Sequence, residues 1–307
     1  MRNGYFPEGR LINTAENTSH LSSLERLKES MSKNRICEAR ADVCDFDHNL
    51  IVDLFGIKGI VPREEGAEGI KEGTVRDIAI ISRVNKPICF VIDSIDLSGD
   101  EPVAYLSRAK AQKKCQSEFI SQLTAGDIIP ARVTHLESFG AFCDIGCGII
   151  ALMPIDAISV SRISHPKDRF STGDDIFAVV KSIDEQGRIS LSHRELLGTW
   201  QQNAQRFEQG QTVSGIVRTV EDYGVFIELA PNLAGLAEKR EDVYPGQHAS
   251  VYIKSMIPEK MKVKLIIIDS FDADYQPPSI EYYIDSDHIS TWNYSPDSCL
   301  KQISTSF

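Results

Sequence analysis

The stretch GDIIPARVTHLESFGAFCDIG, residues 126–146, decides the fold class. Apolar and polar residues alternate along it, and such a pattern sends successive side chains to opposite faces of a β-strand. Gly140 permits a bulge or bend beside Phe139, so Phe139 and Phe142 reach one outer surface despite their odd spacing. Downstream, AVVKSIDEQGRISLSHRE, residues 178–195, reads as a hairpin with DEQG as its turn. Asp184 stands at the entrance of that turn and Arg188 at its exit. Arg188 offers a phosphate fork or a guanidinium plane, and Asp184 an acceptor for a base edge or a partner that orients Arg188. Two aromatic platforms beside an arginine form a groove for single-stranded nucleic acid and carry no nucleophile or base at catalytic spacing.

The same grammar recurs along the chain. ESFGAFCDIG (137–146) matches EDYGVFIELA (221–230) and, less closely, DHNLIVDLFG (47–56); the apolar elements that follow, IIALMPI, LAGLAE and IKGIVP, also align. A period of about 70 to 90 residues is too long for a solenoid unit and suits a string of small domains. Each repeat holds about five strands, enough to close a small barrel and leave no exposed edge. The expected fold is therefore mainly β, with tandem five-stranded OB-fold barrels joined by short helices. Its divisions are an N-terminal arm and helix (1–36), a first barrel (37–108), a helical linker (109–124), a second barrel (125–198), a second linker (199–209), a third barrel (210–269) and an acidic aromatic tail (270–307). The first twenty residues read as a mobile arm, followed by a helix capped by Ser22 or Ser23. Ala104 to Leu123 reads as a helix.

Composition limits the function classes. Hydrophobic residues make up 42% and charged residues 25%, the balance of a folded soluble chain. The seven cysteines follow no metal or disulfide spacing, so neither a metal nor a cofactor is expected. No apolar run is long enough to cross a bilayer and Met1 to Arg10 lacks a signal-peptide core, so a cytoplasmic protein with no membrane partner is expected. The net charge of −11 is unevenly placed: residues 37–108 carry eight basic against fourteen acidic side chains. Binding of a polyanion by such a chain leans on stacking more than on phosphate neutralisation.

The second repeat resembles the S-one RNA-binding domain, a domain named for a large bacterial ribosomal protein and found also in RNA enzymes. The resemblance rests on GDIIPARVTHLESFGAFCDIG, ALMPIDAIS, FSTGDDIFAVVKSID and GRISLSHRE, and covers that whole repeat. It implies an RNA face made of Phe139, Phe142, Asp184 and Arg188, with Pro154 where the family carries a histidine. It also implies backbone contacts from Arg162, His165, Lys167 and Arg169 in the loop SVSRISHPKDRF. By the same correspondence the third repeat offers Tyr223 and Phe226, with Lys262 or Lys264 in the place of Arg188. Glu238 takes the histidine position there, and Lys239 and Arg240 must offset it. The first repeat carries His48 and Ile51 at the aromatic positions and Pro62 at the histidine position.

The resemblance thus implies a non-enzymatic protein that captures single-stranded mRNA in translation, with the first repeat as an adapter docking on the small ribosomal subunit. Two alternatives are a protein-binding OB-fold scaffold and an accessory factor in RNA processing or degradation. The tail, with Tyr275, Tyr282, Tyr283, Trp292 and Tyr294 among acids, reads as an appended hairpin or a flexible tail.

Overall fold

The computed structural model describes residues 5–273 and 280–307; Tyr275 lies outside the described residues. The chain forms two compact units. One holds the chain to Leu123 with Pro130–Arg132 and Asp144–Ile150; the other holds Thr124–Ile129, Val133–Cys143 and Ala151–Phe307.

In the first unit, helix α1 (Ala15–Leu21) is capped by Thr14, whose side chain accepts from the Asn17 amide. Helix α2 (Leu24–Ser32) starts at Ser23, which accepts from the Arg26 amide. The first barrel follows: β1 (Cys37–Cys44), β2 (Leu50–Leu54), β3 (Ile57–Val61), the short helix α3 (Ile78–Ile81), β4 (Pro87–Asp96) and β5 (Val103–Ser107). The strands close in the order β1-β2-β3-β5-β4, with the parallel β3–β5 pair sealing the barrel. Leu50, Val52, Leu54, Ile88, Phe90 and Leu106 fill it. Helix α4 (Arg108–Glu118) begins later than its composition predicts, because Ala104–Ser107 is required as the closing strand.

The segment expected to be a mobile arm is built into this unit. Glu8 is buried, with Arg108 donating to it at 2.7 and 3.0 Å and Arg83 at 3.1 Å. Burial opposes its charge, but Arg108 and then Arg83 hold its carboxyl below the ordinary range. The amides of Gly9, Leu11 and Ile12 all donate to Glu38. The arm's polar composition thus reflects partners distant in sequence.

The second barrel comprises β6 (Ile128–Glu137), β7 (Gly140–Asp144), β8 (Ile150–Pro154), β9 (Asp175–Ile183) and β10 (Ile189–Ser192). Its closed order is β10-β8-β7-β6-β9. Helix α5 (Trp200–Ala204), with Thr199 and Gln202 forming a capping box, leads to the third barrel. That barrel comprises β11 (Thr212–Glu221), β12 (Gly224–Ala230), β13 (Leu233–Ala237), β14 (His248–Ile257) and β15 (Lys262–Phe271), closed as β11-β12-β13-β15-β14.

Within the second unit these two barrels are joined by buried polar contacts. Arg169 donates to Glu228 at 2.7 Å, and Arg218 donates to the same carboxylate at 2.7 Å and pairs with Asp168 at 3.1 Å. The side-chain oxygen of Asn232 accepts from the Val160 amide at 2.9 Å, and its nitrogen donates to the carbonyls of Arg194 and Gly198. The tail is a strap across this unit. Its amide at Ile289 donates to Gly126, and its Asp287 carbonyl accepts from Ile128. It ends in the hairpin β16 (Thr291–Asn293) and β17 (Ser304–Ser306). Trp292 and Tyr294 are buried in the core of the third barrel, and the Tyr294 hydroxyl donates to the Asn232 carbonyl.

Candidate nucleic-acid interface

The second barrel presents its aromatic pair at the turn from β6 to β7. Phe139 is 54% exposed, and its ring meets that of Phe142 edge to face at 6.0 Å and 89°. Gly140 opens β7 directly after the turn at 138–139. A Cβ there would come within 2.4 Å of the Met153 carbonyl oxygen, so only glycine lets β7 approach β8 this closely. His135 on β6 stacks on Phe142 at 6.2 Å and 29° and extends the ring surface. It was not expected on this face, because a β6 side chain is matched to β7 only once the strand register is known.

At the hairpin, Asp184 accepts from the backbone amide of Arg188 at 2.8 Å, from the amide of Gln186 at 3.0 Å and from the Arg188 side chain at 2.7 Å. The Arg188 amide first, and then its guanidinium, hold the Asp184 carboxyl below its ordinary range. Of the two roles open to Asp184, the structure shows the second, that of fixing the turn and orienting Arg188. Arg188 itself is largely exposed, with Gln186 accepting a further hydrogen bond from it at 2.9 Å.

The loop between β8 and β9 is divided. Arg162 and Lys167 are exposed, and His165 caps the turn at Pro166–Asp168. Arg169 corrects the expectation of a backbone contact: it is 4% exposed and bound to Glu228, so this loop docks the third barrel instead.

The third barrel repeats the aromatic geometry. Tyr223 is 70% exposed and meets Phe226 edge to face at 6.0 Å and 87°. Gly224 repeats the close approach, with a Cβ there lying 2.5 Å from the Ala237 carbonyl oxygen. Met261 takes the left-handed conformation, as Gly187 does, and each precedes the hairpin cation, Lys262 in one barrel and Arg188 in the other. The strand register sets Phe226 beside Leu236 and Leu236 beside Lys264. Lys239 and Arg240, expected to offset Glu238, pair instead with Asp222 and Asp242.

The first barrel differs. His48 lies 3.6 Å from Asp77, and Ile51 pairs across the strands with Val43 on one side and Ile60 on the other, followed by Tyr105. Aliphatic side chains thus stand where the other barrels place the inner ring of each pair.

Residues 122–194 match the S1 RNA binding domain family. The second barrel lies wholly within that match. Over most of its length the chain is similar to small ribosomal subunit proteins bS1. It is 30% identical over 231 residues to that of Leuconostoc lactis, covering 72% of this chain and 52% of the relative. It is 28% identical over 262 residues to that of Staphylococcus aureus strain COL, covering 80% and 64%. The chain therefore spans between half and two thirds of the length of these curated relatives. A multidomain protein with nucleic acid binding domains from Streptococcus pneumoniae resembles it at 15% identity over 78% of this chain and 75% of that one, with a TM-score of 0.26. The S1 match stops before the third barrel, whose place in the same series rests on its closure, ring pair and glycine.

Proposed function

We propose that the chain holds single-stranded mRNA in translation, stacking bases on Phe139 and Phe142 of the second barrel and on Tyr223 and Phe226 of the third. The observation that carries this is the recurrence, in two barrels, of an exposed ring crossing a half-buried one at 6.0 Å, each barrel also carrying a hairpin cation, Arg188 or Lys262. Arg188, Lys262, Arg162 and Lys167 supply phosphate contacts. The contacts between Arg169, Arg218 and Glu228 support a single two-barrel platform in place of two tethered sites, so the strand meets both ring pairs without paying to bring them together.

Fluorescence anisotropy with a labelled single-stranded RNA tests this. Phe139→Ala and Phe142→Ala are each expected to cost about 1–3 kcal/mol of binding, the worth of one stacked base. Unchanged affinity in the double variant would refute it.

The first barrel is read as the docking module for the small ribosomal subunit. Its outer row of Val43, Ile51, Ile60 and Tyr105 is apolar, and its acidic surroundings disfavour phosphate. Val43→Glu is expected to reduce co-sedimentation with ribosomes and to spare binding of a free oligonucleotide; a loss of both together would count against it.

A further inference from the structure

The three barrels treat one position of the fourth and fifth strands differently. In each, the fourth-strand residue two positions before a bulge forms an equivalent cross-strand pair: Val91 with Ser107, Val179 with Ser192, and Tyr252 with Ile266. The first two pairs are fully buried. Ser107 donates to Glu65, and Ser192 donates to the Ala157 carbonyl at 3.1 Å, so each barrel's own connection between its third and fourth strands covers the pair. Those connections run over 62–86 and 155–174. In the third barrel the connection is only 238–247, and Tyr252 and Ile266 are left 37% and 47% exposed.

Side chains change accordingly. A small buried pair, valine with serine, is replaced by a tyrosine and an isoleucine, large groups left part-exposed that gain from further contact, although Thr212 flanks Tyr252 across the strands. Lys254 lies at the bulge beside Tyr252, and Lys262 and Lys264 precede Ile266 along β15. Among the described residues none of these three lysines has a carboxylate partner, whereas Lys239 and Arg240 on the neighbouring connection are both paired. Lys264 and Ile266 are two apart in β15 and so share a face, and the row from Phe226 through Leu236 ends on Lys264.

We infer that the third barrel carries an added binding surface for single-stranded RNA, with Tyr252 as a further base platform and Lys254, Lys262 and Lys264 as its phosphate contacts. This rests on the RNA reading above and extends it along β14 and β15. An aromatic ring among unpaired cations, continuous with the aromatic row, matches a polyanion with stacking faces. A protein partner would leave three lysines to be desolvated or matched by acids.

The test uses the full chain and a fluorescein-labelled oligouridylate of about 20 nucleotides, long enough to cross two barrels at the usual site size. Tyr252→Thr keeps a strand-favouring residue and is expected to weaken binding about five- to a hundredfold, with the thermal midpoint unchanged. Ile266→Lys is expected to tighten binding and to steepen its salt dependence by about one counterion. If neither variant alters RNA affinity while Phe139→Ala still weakens it, the added surface is refuted and the RNA reading stands. If Phe139→Ala, Phe142→Ala and Tyr223→Ala are also without effect, the RNA reading fails with it. If Ile266→Lys abolishes self-association or retention of a protein and leaves RNA affinity unchanged, the face is a protein contact and the inference is overturned.

Discussion

Glu228→Gln is the sharpest perturbation the second unit permits. The carboxylate is buried and accepts from Arg169 and Arg218, each at 2.7 Å, and both guanidinium groups are themselves buried. Removing its charge leaves Arg169 and Arg218 buried, with Asp168 touching Arg218 at 3.1 Å. Arg169 keeps only neutral acceptors, the Asp168 carbonyl at 3.1 Å, Ser159 at 3.3 Å and the Pro231 carbonyl at 3.5 Å. Breaking a buried pair by removing one partner costs about 3–5 kcal/mol, and these residual contacts place the expected loss near the lower end, about 3 kcal/mol. For a unit of this size that lowers the unfolding midpoint by about 6–12 °C. Glu281→Gln is the control, since it breaks the exposed Arg206 pair in the same unit and should cost no more than about 1 kcal/mol. Scanning calorimetry of both variants reads the difference. Equal small shifts would refute the view that this network holds the two barrels as one platform.

Acid should weaken the same unit through His193. Its ring is buried against Phe170 and Tyr282, and burial first, opposed by a hydrogen bond with Ile158 and aided by Arg169, lowers its pKa to about 4. The unfolded chain binds a proton near pH 6.5 that the folded one refuses, so stability is full above that value and falls as pH drops toward 4, by at most about 3 kcal/mol. Urea unfolding between pH 7 and 4 measures it, and His193→Gln should flatten the slope. Gly140→Ala should destabilise by about 1–3 kcal/mol through its clash with the Met153 carbonyl, and Gly224→Ala likewise against Ala237, with urea midpoints as the measure. A harmless Gly140→Ala would show that β7 and β8 can separate without cost.

The parts of the site readable in advance were those encoded by short spacings. Phe139 and Phe142 flank a glycine whose absent side chain lets β7 pass close to β8, and the recurrence of that spacing at Tyr223 and Phe226 carried the reading to the third repeat. Lys262 could be matched to Arg188 because both leave the same hairpin turn. The unreadable parts depend on partners distant along the chain. Arg169 is a plausible phosphate contact in its own loop and becomes a buried tie only through Glu228, nearly sixty residues away. Glu8 reads as solvated until α4 brings Arg108 to it. Trp292 and Tyr294 read as part of an appended hairpin or a flexible tail, because a local pattern cannot reveal that the strap returns them to the core of the third barrel.

The same distinction bears on how a chain of net charge −11 could hold the RNA proposed for it. Charge counts only where it is unpaired and exposed. Arg108, Arg169 and Arg218 are buried in ion pairs, and Lys239 and Arg240 are neutralised by exposed aspartates, so none is available to phosphate. Lys254, Lys262 and Lys264 lie together on one hairpin of the third barrel, and Arg162 and Lys167 edge the second barrel, where Asp184 partly neutralises the exposed Arg188. That leaves few cations to release counterions, and affinity should fall only gently with salt, the signature of a surface that grips by its rings.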